Sequence, residues 1–213
     1  MNDKFFQNLK ENIQKYYESG GSHAFDHTQR VYNMAIKLAK GQNADTDIIK
    51  SAALLHDVAR LKEDNNEVED HAEHGAEMAK KILSDMHFSN EKIKKVCYAI
   101  KVHRHSKRMN AKTIEAQILQ DADRLDALGA ITIARMFSTG GKIGIPIFNP
   151  DIPFGKIHPG YKSESTIHSF HAKILKITPD QFNTAKAKKI ARKRYAFVEK
   201  FLKQFRKEWE GEA

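Results

Sequence analysis

Cysteine is almost missing from this sequence of 213 residues, in which Cys97 is the only one. A single thiol excludes an intramolecular disulfide and a zinc site built from several thiolates, and it is typical of a reducing compartment. Any metal site in this chain must therefore be built from His, Asp or Glu side chains.

Long apolar runs and two common catalytic motifs are also missing. No stretch approaches the roughly 18 apolar residues of a membrane span, and the charged start MNDKFFQNLKENIQKYY is unlike a signal peptide. The sequence has no G-x-x-x-x-G-K-[ST] phosphate loop and no G-x-S-x-G nucleophile elbow, so it gives no support to P-loop or covalent serine chemistry. We expect a cytoplasmic protein without a membrane partner.

Proline is absent from the first 145 residues, since all five prolines lie between 146 and 179. Apolar spacing predicts helices at about 2–18, 27–40, 45–59, 70–84, 90–104, 112–137, 164–175 and 180–208. No run alternates with period two, so we predict an all-α helical bundle with the C-terminal helices (164–208) packed on it. With 40% hydrophobic residues, 213 residues suffice for one domain over 1–213.

Glycine and proline are concentrated between the two groups of predicted helices. Residues 138–163 contain TGGKIGIPIFNPDIPFGKIHPGY, which is too rich in Gly and Pro for a helix and long for a simple connection. We therefore predict a loop there, and we regard it as a candidate lid over a site.

Acidic residues are outnumbered: 36 Lys and Arg stand against 27 Asp and Glu, which gives a net charge of +9. This excess indicates an anionic partner such as a nucleotide, a phosphate ester, nucleic acid or an acidic membrane surface. Much of it lies in the last predicted helix, whose apolar stripe favours a solvated outer face of a packed helix. We therefore favour a small phosphorylated substrate over nucleic acid.

A histidine and an aspartate stand side by side at the apolar end of one predicted helix. In AALLHDVAR, residues 52–60, His56 continues the inward face and Asp57 follows it. A buried carboxylate is costly unless a hydrogen-bonded partner or a metal compensates it. The pair predicts either a metal site or a core histidine with a satisfied hydrogen bond.

Carboxylates also interrupt the apolar stretch ILQDADRLDALGAITIAR, residues 118–135. Asp123 and Asp126 are three positions apart and share a face, whereas Asp121 points elsewhere. Two acids on one side of an apolar helix invite a cation, and Arg124 points to another side, which favours a metal. The alternative is that each acid caps or bridges to a neighbouring helix.

A further histidine, His27, opens the segment DHTQRVYNMAIKLAK, whose apolar residues at i+4, i+7, i+8 and i+11 place it on an inward face. Together with His56, Asp57 and Asp123 it gives two imidazoles and two carboxylates from three predicted helices. This donor set suits Mn, Fe, Ni, Co, Zn or Mg with open positions for water.

These residues in this order resemble the HD superfamily of metal-dependent phosphohydrolases, and the motif core spans residues 23–137. The fragments SHAFDHTQRV, AIKVHRHS and ARKRYAFVEKFLKQF extend the similarity to a group of small bacterial HD-domain hydrolases over nearly the whole chain. The resemblance implies an all-α HD domain around a divalent metal (Mn, Mg, Fe, Co or Ni). It also implies hydrolysis of phosphate esters or anhydrides, often of nucleotides. The implied metal ligands are His27, His56, Asp57 and Asp123.

The sequence departs from its relatives at two positions. Many of them carry an Asp where this chain has Ala24, so one support for a ligand is missing here. Some place Glu or Lys at the position of Arg60, which cannot exchange a proton and is predicted to hold a phosphate. The alternative for Arg60 is a helix-end residue that meets the C-terminal dipole.

Two further histidines indicate a second metal. His71, followed four residues later by Gly75, resembles a pattern of dinuclear HD phosphodiesterases, and His103 in IKVHRHS matches a second such histidine. If Asp57 bridged two metals, these histidines would be natural ligands of the second. The alternatives are contact with the substrate and a structural role.

The predicted reaction is hydrolysis of a small phosphorylated substrate, with a nucleotide as the first expectation, by a metal-activated water. Asp57 or Asp123 would accept the proton, and Arg60 and Arg104 would stabilise charge on the phosphoryl oxygens. One alternative is a dinuclear-iron HD oxygenase. Another is a module that binds nucleotide or nucleic acid without turnover.

Overall fold

The computed structural model describes residues 1–17, 25–104, 107, 109–156 and 164–212. Within these ranges the chain forms α-helices and short 3₁₀ helices and no strand, which confirms the predicted all-α class. The helices belong to two compact units, Met1–Asp123 and Arg124–Ala213. One domain over residues 1–213 stays a prediction. Across the described ranges, no helix is long and apolar enough to cross a membrane.

The first unit is built around one nearly buried helix. Its helices are α1 (Asp3–Ile13), α2 (Phe25–Ala39), α3 (Thr46–Leu55), α4 (Arg60–Asp64), α5 (His71–Asp85), α6 (Asn90–Val102) and α7 (Ile114–Asp126), of which α7 runs on past the unit's end. A 3₁₀ turn, Gln14–Tyr16, takes the place of the predicted last turn of α1. Helix α3 packs against α1, α2, α5 and α6, and its small and aliphatic residues are buried.

Helix α3 begins where the sequence predicts and ends early. The Asp45 side chain accepts hydrogen bonds from the backbone N–H groups of Asp47 and Ile48, as an N-cap does. The helix stops at Leu55 rather than at 59, because residues 56–59 form successive turns. His56, the C-cap of α3, itself keeps αR dihedral angles, with φ of −59° and ψ of −37°.

The second unit contains the remaining helices: α8 (Ala130–Lys142), α9 (Thr166–Ala172) and α10 (Ala185–Glu210), with 3₁₀ helices at Ile174–Lys176 and Pro179–Gln181. The prediction of one continuous helix over 112–137 is wrong, because the chain breaks between α7 and α8. Gly129 stands at the break with φ of 92°, a conformation that glycine adopts at little cost. The side chain of Arg194 lies 3.2 Å from the place that a Cβ of Gly129 would occupy.

Helix α8 also continues to Lys142, into the start of the predicted loop 138–163. Gly140 lies inside this helix at a point where Thr166 of α9 packs so closely that a larger residue would not fit. The described part of the loop is tied to α9, where the Thr166 and Ile167 N–H groups donate to the Pro146 and Ile147 carbonyls. Residues 157–163 lie outside the described ranges, and the role of the loop as a lid stays a prediction.

Helix α10 has the solvated basic face that its sequence favours. Its buried residues are Ala187, Ala191, Val198 and Leu202. The cations Lys189, Lys193, Lys200, Lys203 and Lys207 are exposed.

Candidate metal centre

The carboxylate of Asp57 lies among four histidines of the first unit. Its Oδ2 atom is 3.7 Å from His27 Nε2 and 3.6 Å from His56 Nε2. Its Oδ1 atom is 3.3 Å from His71 Nε2 and 3.6 Å from His103 Nε2. All five side chains are buried. They form two groups that share Asp57, and the donor atoms of each group are close enough to surround one metal ion.

The five residues come together because helix ends converge on one place. His27 lies in the first turn of α2, His56 and Asp57 follow the end of α3, His71 is the first residue of α5, and His103 follows the end of α6. His56 and Asp57 both contribute to the centre although they are adjacent, since Asp57 Oδ2 lies 3.6 Å from His56 Nε2. Apolar periodicity indicates His27, His56 and Asp57, and the resemblance adds His71 and His103. All five thus lie within one buried cluster.

Asp123 of α7 lies at the edge of the cluster. Its Oδ1 atom is 3.3 Å from His27 Nε2, and its side chain is 25% exposed, whereas the Asp57 side chain is 6% exposed. Burial raises the pKa of Asp123, but the hydrogen bond from His27 and the charges of nearby histidines outweigh it and lower the pKa to about 2. Asp123 is therefore an ionised carboxylate at neutral pH with one side open to solvent.

The ring orientations fit a divalent cation. The Nδ1 atoms of His56 and His103 lie 2.9 and 2.6 Å from the carbonyl oxygens of Ala53 and Ile100, in the last turns of α3 and α6. A carbonyl oxygen can only accept, and those in a last helical turn lack the usual N–H partner four residues on, so Nδ1 of each ring donates. In the neutral rings, the lone pair is then on Nε2, which faces the cluster.

Ring nitrogens that face each other at hydrogen-bond distance share either a proton or a cation. His27 and His56 bring their Nε2 atoms within 3.2 Å of each other, and His71 and His103 theirs within 3.4 Å. Burial lowers the pKa of His56 to about 4, so this ring is neutral at pH 7. Burial also acts against charge on His103, but the hydrogen bond with Asp57 and the neighbouring carboxylates raise its pKa overall. Neutral imidazoles and ionised carboxylates are the donors that a divalent metal requires.

Two carboxylates that the sequence analysis did not single out lie beside His71. Glu63 of α4 brings Oε2 within 2.5 Å of His71 Nδ1. Asp70 caps α5 by accepting from the Ala72 N–H, and Arg104 Nη1 donates to Glu63 Oε1 and Asp70 Oδ1 at 2.7 and 2.9 Å. An Asp directly before an apolar-periodic helix is a recognisable cap signal. Glu63 has no comparable signal, because α4 is short and charged throughout.

The two arginines predicted to bind phosphate already form ion pairs with carboxylates. Arg60 Nε lies 3.1 Å from Asp64 Oδ1, and its Nη1 lies 3.5 Å from Glu63 Oε2. Arg60 is the first residue of α4 rather than part of the last turn of α3. Both guanidinium groups remain partly exposed, at 26% for Arg60 and 22% for Arg104. Their contact with phosphate stays a prediction.

Other predicted features are less closely tied to the cluster. In the second unit, Asp126 is buried and its Oδ2 accepts from Arg135 Nη1 at 2.8 Å, so its cationic partner is an arginine. Ala24, where relatives carry an Asp, lies outside the described residues.

The chain is similar to known proteins over almost its whole length. Residues 24–128 match the family model of the HD domain. A crystal structure of an HD-superfamily hydrolase from Bacillus thuringiensis is 36% identical, covers 97% of both chains and has a TM-score of 0.77. The uncharacterized protein YpgQ of Bacillus subtilis is 30% identical over 206 residues, which are 91% of this chain and 87% of that protein. The structure of YpgQ in complex with ADP has a TM-score of 0.74 at 26% identity, over 96% of this chain and 95% of that chain.

The chain therefore belongs to the HD superfamily, as its motifs indicate. HD domains bind divalent metals, and this one has the His/Asp cluster that can hold them. At this level the protein is an all-α hydrolase of the HD superfamily with a candidate metal centre around Asp57.

Proposed function

We propose that this protein is a divalent-metal-dependent phosphohydrolase that uses an activated water on a small phosphorylated substrate, with a nucleotide as the first choice. The observation that carries the proposal is the carboxylate of Asp57, whose two oxygens face two pairs of buried histidines. A divalent cation in such a cluster lowers the pKa of a bound water and draws charge from a phosphoryl oxygen. The complex of the similar protein YpgQ with ADP supports a nucleotide as substrate.

The residues divide into two ligand groups in this proposal. His27, His56, Asp57 and Asp123 hold the first cation. Asp57 also serves a second cation, together with His71 and His103. Asp123, which is ionised and partly open to solvent, would accept the proton of an attacking water, and Asp57 is the alternative acceptor.

Arg60 and Arg104 supply the positively charged side chains of the proposed site. A guanidinium carries five N–H donors, and the carboxylates described above use only one or two nitrogens of each. The remaining donors can hold phosphoryl oxygens, on which charge builds up as the bond to phosphorus breaks.

The cellular location of the protein does not follow from this site, and a cytoplasmic location stays a prediction.

The test combines metal analysis with a substrate screen. We expect purified protein to bind divalent metal and, with Mn²⁺, Mg²⁺, Co²⁺ or Ni²⁺, to release phosphate or pyrophosphate from nucleotides or phosphomonoesters. Asp57→Ala and Asp123→Ala should each lower bound metal and lower turnover by at least about 100-fold. Asp85→Asn, an exposed carboxylate at the end of α5, is the matched control. Full turnover by either alanine variant would refute the proposal.

The shared carboxylate also fits the second candidate, a dinuclear-iron oxygenase, because that chemistry needs two adjacent metals. Two irons per chain together with oxygen consumption would favour it, and turnover under argon would exclude it. A module that only binds nucleic acid is distinguished by salt-dependent binding to RNA or DNA that survives Asp57→Ala, because phosphate contacts from the basic face of α10 need no metal.

A further inference from the structure

The imidazole rings that face Asp57 are held by two different kinds of partner. The Nδ1 atoms of His56 and His103 each contact a backbone carbonyl three residues earlier, Ala53 O and Ile100 O. The Nδ1 atom of His71 instead contacts a side chain, Glu63 Oε2, at 2.5 Å. Among these three rings, His71 is thus the one whose Nδ1 partner depends on another residue's identity.

The position of His71 in its helix explains the difference. His56 and His103 follow helix C-termini, where backbone carbonyls lack the N–H partner four residues on and can accept from a side chain. His71 is the first residue of α5, and a helix N-terminus offers free N–H groups rather than carbonyls. An acceptor for its Nδ1 must therefore come from outside α5, and α4 supplies it.

Glu63 is itself fixed by an ion-paired network. Arg104 Nη1 donates to Glu63 Oε1 at 2.7 Å and to Asp70 Oδ1 at 2.9 Å. Asp70 precedes His71 and Arg104 follows His103, so these ion pairs tie together the chain neighbours of both histidines. Glu63, Asp70 and His71 are also close enough to surround a cation. The Arg104 guanidinium already supplies that positive charge.

We propose that Glu63 is a positioning residue of the metal centre, which holds the His71 ring with Nε2 directed at Asp57. The inference rests on the proposed function, because it concerns the second cation held by Asp57, His71 and His103. A carboxylate behind a ligating histidine fixes the ring and makes it a stronger ligand, and its loss typically weakens metal binding by about 10- to 100-fold. Burial raises the pKa of Glu63, but the hydrogen bonds with His71 and Arg104 lower it overall, so the carboxylate is ionised.

The experiment titrates metal-free full-length protein with Co²⁺ and follows bound metal by equilibrium dialysis and the visible absorption of the bound ion. Glu63→Ala, Glu63→Gln and His71→Ala are compared with wild type. The matched control is Glu67→Gln, since Glu67 lies on the same segment and pairs with Lys62 rather than with a histidine. Circular dichroism confirms that each variant is folded.

We expect wild type and Glu67→Gln to bind two equivalents. Glu63→Ala should bind one equivalent normally and the other about 10- to 100-fold more weakly, with a changed absorption of the second Co²⁺. Glu63→Gln should fall between them, because its amide oxygen still accepts from Nδ1 but carries no charge. If Glu63→Ala does not fold, the Glu63→Gln result decides.

Two negative outcomes separate this inference from the proposed function. If His71→Ala loses the second equivalent while both Glu63 variants keep it at wild-type affinity and absorption, the role of Glu63 is refuted and the second cation stands. If His71→Ala also keeps two equivalents at wild-type affinity, the assignment of the second cation to His71 is refuted, and the role of Glu63 falls with it.

Discussion

Asp123 and Asp126 lie about one turn apart in α7 and have partners of different kinds. Asp123 contacts His27 in the first unit, whereas Asp126 accepts from Arg135 in the second. Their spacing predicts a shared face and a cation. It does not say whether the cation is an arginine or a metal, because that depends on which side chains the folded chain brings to each carboxylate.

Substitution of the two acids should therefore have opposite consequences. Asp126→Asn should lower the free energy of unfolding by about 2 kcal/mol, because it removes the charge of a buried, hydrogen-bonded ion pair. It should leave the affinity for Mn²⁺ unchanged. Asp123→Asn should weaken Mn²⁺ binding with a smaller loss of stability. Urea unfolding and isothermal titration of both variants check this, and loss of Mn²⁺ binding in Asp126→Asn would contradict the division.

The cluster residues could be predicted from sequence to different extents. His27, His56 and Asp123 could be found because each is a polar residue on an otherwise apolar helical face, which is costly without a compensating partner. His71 and His103 needed the resemblance as well. Glu63 could not be found, because a partly exposed acid among charged neighbours carries no periodic signal, and its partner is fixed by how α4 packs on α5.

At the scale of the element, α5 depends on the charge of its cap. Asp70 accepts from the Ala72 N–H and is paired with Arg104 and Lys107. Burial raises its pKa, but the contacts with Lys107, Arg104 and the Ala72 N–H outweigh it and hold the pKa well below its usual range. The first turn of α5, which carries His71, is thus stabilised by an ionised carboxylate.

This cap predicts a specific dependence of stability on pH. The folded pKa of Asp70 lies below its unfolded value of about 3.9, so the ionised side chain stabilises the fold above that pH, and the effect is lost as the pH falls below it. Asn also caps helices, so Asp70→Asn removes the charge alone. Wild type should be more stable by about 1 kcal/mol at pH 7, after allowance for screening by solvent, and the difference should shrink toward pH 3. Urea unfolding at pH 7, 5 and 3 measures it, and a constant difference would contradict the assignment.

Helix type was easier to predict than helix ends. The proline-free sequence and its apolar spacing predict the helices of the first unit except the short α4. The end of α3 and the break at Gly129 were missed because apolar periodicity continues through both. Contacts made by the folded chain, such as Arg194 against Gly129, determine where these helices stop.

At the scale of the whole molecule, the cluster joins most helices of the first unit. Its ligands come from α2, the turn after α3, α5, α6 and α7. A cation there would connect elements that are far apart in sequence, and such a connection exists only in the folded state.

Bound metal should therefore raise the melting temperature. At a free Mn²⁺ concentration of 100 times the dissociation constant, linkage adds about 2.7 kcal/mol for one site. For a chain of this length that corresponds to an increase of about 5–10 °C. Asp57→Ala should melt at the same temperature with and without Mn²⁺, which differential scanning calorimetry can measure. An equal increase in the variant would show that Mn²⁺ acts elsewhere on the protein.

The turn that follows α3 has a consequence for how such centres can be rebuilt. Residues 56–63 contain His56 and Asp57 and, on the short helix α4, Glu63. These eight residues thus contribute side chains to both ligand groups. They also contain Glu63, which contacts the ring of His71 in the second group. Grafting a centre of this type into another helical scaffold would require this segment to be copied at fixed length. The connection over residues 65–69, from which none of these side chains comes, could be lengthened or shortened.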